Sequence, residues 1–165
     1  KQGRKLASYA QRFHMAELAT AAYEKFEVSD FEAQRSGLSY TSDTLALLRK
    51  EYPDSAFSLI LGADSFFEFE NWHAPEDICR NARLLVAARE YAREHSSLSE
   101  HARHLEERFG ARVALIPAPL LDISSMHIRE LLAAGKKSAA QYLPAAVYRY
   151  IQAEGLYVPE KEGKL

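Results

Sequence analysis

The chain has 165 residues, of which 47% are hydrophobic and 27% charged, and a formal net charge of -2 at pH 7. This length suits one domain with a proper hydrophobic core, and the balanced charge argues against a general nucleic-acid binder, which would carry a basic excess. No apolar run approaches the roughly 20 residues of a membrane-spanning helix, and the single Cys79 excludes an internal disulfide and favours a reducing cytoplasm.

The sequence pattern over residues 8–62 predicts two helices and two strands. Apolar residues recur with helical spacing over 8–24, and residues 26–30 (FEVSD) predict a short strand. A helix is expected over 41–52, where Pro53 stops it. Residues 57–62 (FSLILG) form an apolar run that ends in glycine, which is typical of a buried parallel strand.

The second part predicts the same alternation. Helices are expected over 74–82, 97–110, 124–135 and 144–157, and strands over 83–89 and 111–118. Because nearly all-apolar strands alternate with helices, we expect an α/β fold whose parallel sheet is covered on both faces. Ligands bind beyond the carboxyl ends of strands in such sheets, which directs attention to the positions after Leu61, Ala88 and Ile116.

One candidate site lies where the chain enters the predicted helix over 124–135. Ser124 and Ser125 precede Arg129 by about one helical turn. Either serine could cap the helix, whose first backbone N–H groups have no intrahelical partners. Those groups and the helix dipole also favour an anion, and an arginine can hold phosphate oxygens through two N–H bonds. Two interpretations stay open: a capped helix with a surface arginine, or an anion site.

A second candidate site follows the strand over 57–62. At Gly62 the absent Cβ lets a ligand or another backbone come close. Asp64 could accept hydrogen bonds from two ribose hydroxyls, or it could only cap the next helix. Trp72 could stack on a flat ring at a pocket rim, which His73 could share, or it could anchor the core, the commoner outcome for a lone tryptophan.

Weaker indications come from a hydroxyl-rich segment and from the histidines. Thr41, Ser42 and Asp43 each suit a helix N-cap, and a helix start here could bind a small carboxylate. His101 and His104 are spaced for one helix face, but no third ligand is near them in sequence. We therefore expect these histidines to face solvent and predict no dedicated metal site.

Taken together, these segments resemble the nicotinate-nucleotide adenylyltransferase family of bacterial NAD biosynthesis. The matching segments are FEVSDFEAQRSGLSYTSDTLALLRKEYPD, LILGADSF with Trp72 after it, DISSMHIREL and YLPAAVYRYIQAEGLY. They follow the family's order and spacing over nearly the whole chain, and their combination is specific where any one of them is weak. The resemblance implies a Rossmann-like three-layer α/β/α domain over 1–159, followed by a hydrophilic tail at 160–165.

The resemblance also implies an activity. Such an enzyme joins ATP to nicotinate mononucleotide, releases pyrophosphate and forms nicotinate adenine dinucleotide, with Mg²⁺ held mainly through phosphate oxygens. Ser124, Ser125 and Arg129 would hold the ATP phosphates, and Arg129 would stabilise the transition state. Gly62 and Asp64 would line the adenosine side. Four residues would contact the mononucleotide: Tyr40, Thr41, Trp72 and His73. No nucleic acid or membrane is implied as a partner, and homo-oligomerisation stays open.

Two features depart from the family pattern. Met126 stands where the family usually has threonine, so we expect tuned rather than lost phosphate binding. Family members begin with a strand, a glycine-rich turn and an HxGH motif, and this sequence contains no HxGH. Lys1 matches a point just after the family's second strand, so we expect about 40–50 further N-terminal residues in the native polypeptide, the scale of a βαβ unit. Without them, a strand over 26–30 would lack a neighbour.

Alternative functions follow from the same residues. A related adenylyltransferase would use nicotinamide mononucleotide or pantetheine phosphate, although the segments around Thr41 and Trp72 favour a nicotinate ring. A nucleotide-binding module without catalysis would also fit a sequence that lacks HxGH. A dehydrogenase is disfavoured, because no GxGxxG motif follows any predicted strand.

Overall fold

A computed structural model of the chain describes residues 7–33, 37–88, 92–119 and 123–158. The chain divides into two compact units, and each is described by itself. The larger unit is Phe31–Leu121, and the smaller joins Lys1–Asp30 to Asp122–Leu165. The predicted tail at 160–165 lies outside the described residues, and the single domain over 1–159 stays a prediction.

Strands and helices alternate through most of the described residues. The strands are β1 (Phe57–Gly62), β2 (Ala82–Ala88) and β3 (Val113–Pro117). The α-helices are α1 (Tyr9–Thr20), α2 (Thr41–Glu51), α3 (Ala63–Phe67), α4 (Pro75–Asn81), α5 (Ala92–Phe109), α6 (Ser125–Ala133) and α7 (Ala145–Ala153). Two 3₁₀ helices cover Phe69–Asn71 and Lys137–Tyr142. None of these helices is long and apolar enough to cross a bilayer.

The larger unit is built on a parallel sheet in the order β1-β2-β3. Leu61 of β1 pairs with Val86 of β2, and Ala87 of β2 pairs with Ile116 of β3. All three strands coincide with predicted apolar runs to within two residues, and the parallel α/β fold is confirmed. Because the strands are parallel, their carboxyl ends lie at one edge of the sheet.

One face of this sheet carries the core of the larger unit. Leu61, Leu84 and Val86 are buried there, and helical residues complete the cluster: Leu45, Phe66, Phe69, Ile78, Leu98 and Leu105. Ile60 points to the opposite face and is 68% exposed. The strict alternation along β1 follows from the two-residue period of a strand.

The smaller unit combines α1, α6 and α7 around a second core. Its buried residues are Ala7, Leu132, Ala139, Val147, Ile151 and Leu156. Ser8 and Gln11 form a reciprocal capping box at the start of α1, with hydrogen bonds of 2.9 and 3.2 Å. Gly135 follows α6 with φ 65°, a left-handed conformation that suits glycine and ends the helix where the sequence predicted.

Several element predictions are wrong. Residues 26–30 form no strand, because a strand needs a hydrogen-bonded neighbour and no segment among the described residues pairs with them. The helix predicted from 97 begins at Ala92. The short helix α3 and both 3₁₀ helices were not predicted, because segments of three to six residues carry too little periodicity.

Candidate active site

The start of α2 is linked to the residue that follows Trp72. Ser42 is only 3% exposed, and its hydroxyl oxygen lies 3.2 Å from Nδ1 of His73. Tyr40 stacks on the same imidazole, with ring centroids 4.1 Å apart and an interplanar angle of 18°. The structure thus brings together Tyr40 and His73, two of the residues predicted to contact the mononucleotide. Ser42 is a partner that the sequence did not identify in this role.

The predicted N-cap of α2 is wrong. The helix begins at Thr41, and its N-cap is Tyr40, whose extended backbone has φ -106° and ψ 142°. Thr41, Ser42 and Asp43 therefore lie inside the first turn, and no side chain among the described residues caps this helix start. The backbone N–H groups of a first turn have no intrahelical acceptors, so this helix start suits a small anion.

Trp72 lies between the 3₁₀ helix at Phe69–Asn71 and α4. Its indole packs against the larger core, with its ring centroid 5.6 Å from that of Phe69. The side chain is half-buried, so it anchors the core and still reaches solvent. Ala74 follows in a left-handed conformation, with φ 49° and ψ 60°. This conformation costs a non-glycine residue roughly 1–2 kcal/mol, and such strain often lies at functional segments.

Gly62 and Asp64 lie at the carboxyl end of β1. Gly62 is the N-cap of α3, so the alternative in which Asp64 caps this helix is wrong; Asp64 lies in the first turn and is exposed. The φ of Gly62 is -77°, which any residue adopts. A Cβ at this position would meet no atom within 4 Å. Nothing in the described fold therefore requires glycine at position 62.

In the smaller unit, the start of α6 brings three predicted residues together. The hydroxyl of Ser124 accepts a hydrogen bond of 3.1 Å from the backbone N–H of His127 and thereby caps the helix. The hydroxyl of Ser125 accepts one of 3.2 Å from Nη2 of Arg129. This second bond directs the guanidinium toward the helix start. The capping interpretation is confirmed for Ser124. Because both serine hydroxyls act as acceptors in these bonds, their O–H groups remain available to an anion, as do Arg129 and the first-turn backbone N–H groups that the cap does not use.

A cavity of about 160 Å³ lies beside Arg129. Ser125 and Arg129 are the polar residues of a mostly apolar lining. The remaining lining residues are Met15, Ile128, Leu132, Leu143, Val147, Ile151 and Tyr157. Because small-molecule sites usually enclose about 300–1,000 Å³, this volume alone does not define a ligand.

His101 and His104 of α5 contact other residues of the protein rather than only solvent. Nε2 of His101 lies 3.1 Å from the carbonyl oxygen of Phe66, and the ring is half-buried, so the prediction of a solvent-facing His101 is wrong. Nε2 of His104 lies 2.9 Å from Glu70. No three His, Cys, Asp or Glu side chains are placed to hold a metal ion in the part of the chain that the structure describes.

Comparison with known proteins identifies the class first. A family model described as cytidylyltransferase-like matches residues 1–131. Because this match covers most of the chain, the protein is a nucleotidyltransferase of the cytidylyltransferase-like class. The fold is shared with two solved structures of Plasmodium falciparum nicotinic acid mononucleotide adenylyltransferase, one complexed with APC and one with NaAD. Each has a TM-score of 0.71 and 21% identity, over 92–93% of this chain and 76–77% of the other.

Similarity to curated proteins then shows which family of nucleotidyltransferases the chain belongs to. A probable nicotinate-nucleotide adenylyltransferase of Lachnoclostridium phytofermentans is 38% identical over 147 residues, 89% of this chain and 72% of the relative. One of Pectobacterium atrosepticum is 38% identical over 163 residues, 92% of this chain and 76% of the relative. The chain belongs to the nicotinate-nucleotide adenylyltransferase family, and the resemblance seen in its sequence segments is confirmed.

Proposed function

We propose that the protein transfers the adenylyl group of ATP to nicotinate mononucleotide. An oxygen of the acceptor phosphate forms a bond to the α-phosphorus of ATP, and the bond from that phosphorus to the bridging oxygen breaks. Pyrophosphate leaves, and nicotinate adenine dinucleotide is formed. Family membership supports the activity. The geometric observation that carries it is the start of α6, where Ser125 holds Arg129 at an exposed helix start.

The start of α6 is proposed to hold the ATP phosphates. The hydroxyl of Ser124 accepts the capping bond and keeps its own O–H donor. The proposed donors are therefore Ser124, Ser125, Arg129 and the first-turn backbone N–H groups that the cap does not use. Arginine forms charge-assisted, bidentate hydrogen bonds with phosphate oxygens. Adenylyl transfer by direct attack needs no covalent enzyme intermediate, so positioning and neutralisation of developing charge account for the catalysis that these residues supply.

The end of β1 is proposed to contact adenosine. The exposed carboxylate of Asp64 would accept hydrogen bonds from the ribose hydroxyls. Gly62 would let the nucleotide approach the backbone, and the open space around its Cα is consistent with that role. The effect of a side chain at position 62 would then report on the ligand rather than on the fold.

The acceptor site is proposed to lie around the start of α2. Thr41 would offer first-turn N–H groups to the nicotinate carboxylate, and Trp72 would pack on the pyridine ring. Tyr40 and His73 would line the same site. Their stacking, together with the Ser42–His73 contact, links α2 to the Trp72 segment.

Mg²⁺ is the proposed cofactor, and the cytoplasm is the proposed compartment. Mg²⁺ takes oxygen ligands and commonly binds through substrate phosphates with one or two carboxylates. The described residues include exposed carboxylates, the oxygen donors that would join phosphate oxygens around such a cation. When bound, the cation would neutralise phosphate charge. The single cysteine supports a reducing compartment.

Steady-state kinetics with ATP and nicotinate mononucleotide test the phosphate assignment. Arg129→Ala is expected to lower kcat by about 10²–10³-fold, the usual effect of removing one transition-state donor. Arg149→Ala removes an exposed arginine of α7 in the same unit and serves as the matched control. Normal turnover in the Arg129 variant would contradict the assignment.

Further variants and acceptors test the substrates. Asp64→Ala and Gly62→Ala should each raise the KM for ATP about tenfold, equivalent to about 1.4 kcal/mol, with little change for the mononucleotide. Trp72→Ala should show the reverse pattern. If turnover is faster with nicotinamide mononucleotide or pantetheine phosphate than with nicotinate mononucleotide, the faster compound is the acceptor and the proposed acceptor is wrong. Calorimetric binding of the mononucleotide without product formation would identify a non-catalytic module instead.

A further inference from the structure

Helix α5 carries a polar stripe that faces the segment preceding Trp72. Its members are His101, His104 and Arg108, whose spacing of three and seven residues places them on one helix face. His101 contacts the carbonyl oxygen of Phe66 in α3. His104 and Arg108 contact one carboxylate, that of Glu70, in the 3₁₀ helix at Phe69–Asn71.

Glu70 uses both of its carboxylate oxygens in these contacts. Oε1 lies 2.9 Å from Nε2 of His104, and Oε2 accepts a hydrogen bond from Nη1 of Arg108. The Glu70 side chain is 24% exposed, whereas those of His104 and Arg108 are 50% and 56% exposed. A carboxylate that is largely buried and bonded through both oxygens is held more firmly than one in an isolated surface pair.

The other side of the same segment is held by apolar contacts. Phe66 and Phe69 are fully buried in a cluster with Leu98 and Leu105 of α5. The ring of Phe69 in turn packs against that of Trp72. The backbone N–H of Trp72 donates a hydrogen bond of 3.1 Å to the backbone carbonyl oxygen of Phe69. The position of Trp72 therefore depends on how the 3₁₀ helix is seated on α5.

We propose that Glu70, held by His104 and Arg108, is a positioning residue that fixes Trp72 for the nicotinate ring. The proposal rests on the proposed function of Trp72. A single turn of 3₁₀ helix has poor hydrogen-bond geometry and little stability of its own. The contacts with α5 supply the missing constraint, and a pre-ordered indole binds a ring at a lower entropic cost than a mobile one.

Fluorescence tests this proposal directly, because Trp72 is the only tryptophan of the chain. In ligand-free protein, Glu70→Gln and Arg108→Ala should each shift the emission of Trp72 to longer wavelength and increase its quenching by acrylamide. Titration with nicotinate mononucleotide should show a dissociation constant raised by about 3- to 10-fold, a usual range for mutations that couple to a site without touching the ligand. The KM for ATP and kcat at saturating substrates should stay unchanged.

Matched variants separate positioning from general stability. Arg103→Ala removes an exposed arginine of the same helix and should leave emission and affinity unchanged. Arg108→Lys keeps the charge and should recover part of the affinity. The effects of Glu70→Gln and Arg108→Ala should be less than additive in the double variant, because both remove the same contact.

Two results would overturn the proposal. One is unchanged emission and unchanged mononucleotide affinity in the Glu70 and Arg108 variants. The other is a fall in kcat together with a similar rise in the KM values of both substrates, which would indicate general structural damage. If Trp72→Ala itself binds the mononucleotide normally, the proposed ring contact fails. If Trp72→Ala weakens binding but the Glu70 and Arg108 variants do not, only the positioning role fails.

Discussion

Cys79 shows how burial changes the chemistry of a single residue. It is 2% exposed, and burial, with a smaller contribution from the charge of Glu76, raises the pKa of the thiol from 9.0 to about 11. Between these two pH values, the unfolded chain loses a proton that the folded protein keeps. The free energy of unfolding therefore falls as pH rises through this window, by about 2–3 kcal/mol from this group.

Replacing this cysteine should remove that part of the pH dependence. Cys79→Ala is expected to be about 1 kcal/mol less stable than the unmodified protein at about pH 8, because packing atoms are lost from the core. At about pH 10.5 the order should reverse, because by that pH ionisation of the unfolded thiol has lowered the stability of the protein with Cys79 by about 2 kcal/mol. Urea unfolding at both pH values measures it, and a constant difference would contradict the raised pKa.

At Gly62 and Ala74 the residue type does not match the backbone conformation. Gly62 has an ordinary φ of -77° and space for a side chain, whereas Ala74 has a φ of 49°, where glycine would be unstrained. Neither residue is the type that its local backbone favours. Gly62 is itself proposed to contact the nucleotide, and Ala74 follows His73, which is proposed to contact the mononucleotide. Departures from local preference are expected at such positions.

At the scale of elements, the two serines at the start of α6 differ in what they contribute to the stability of the fold. Ser124 caps the helix, and Ser125 accepts from Arg129. Ser124→Ala should lower the free energy of unfolding by about 1 kcal/mol, the usual cost of losing an N-cap. Ser125→Ala should cost less than about 0.5 kcal/mol but raise the KM for ATP. Urea unfolding and kinetics on both variants measure this, and equal effects on stability would contradict the division.

The elements also show which local patterns predict structure well. The apolar run at 57–62 predicts β1 with the correct bounds, and Gly135 marks the end of α6. The hydroxyl-rich start of α2 misled the prediction of its cap, because Tyr40 takes that position while its ring stacks on His73. Residues 26–30 have the composition of a strand, but a strand forms only where another segment supplies hydrogen bonds.

At the scale of the whole molecule, each unit has its own core, and stability should depend on the residues at its centre. Phe66 is 0% exposed and its neighbour Phe67 is 40% exposed. Phe66→Ala should lower the free energy of unfolding by about 3–5 kcal/mol, because it leaves a cavity in the larger core. Phe67→Ala is the matched control and should cost about 1 kcal/mol or less. Chemical denaturation measures both, and similar costs would contradict this description of the core.

The sequence by itself determined the family, the parallel α/β class, the three strands and most helices. The family follows from the resemblance of four sequence segments to known members. The other features depend on residue type and on periodicity over a few neighbouring positions, which a single sequence contains. Only the tertiary structure decided that Ser42 meets His73 across 31 residues and that Arg108 meets Glu70 across 38. No local pattern encodes such contacts, because packing of separate elements onto the sheet brings their side chains together.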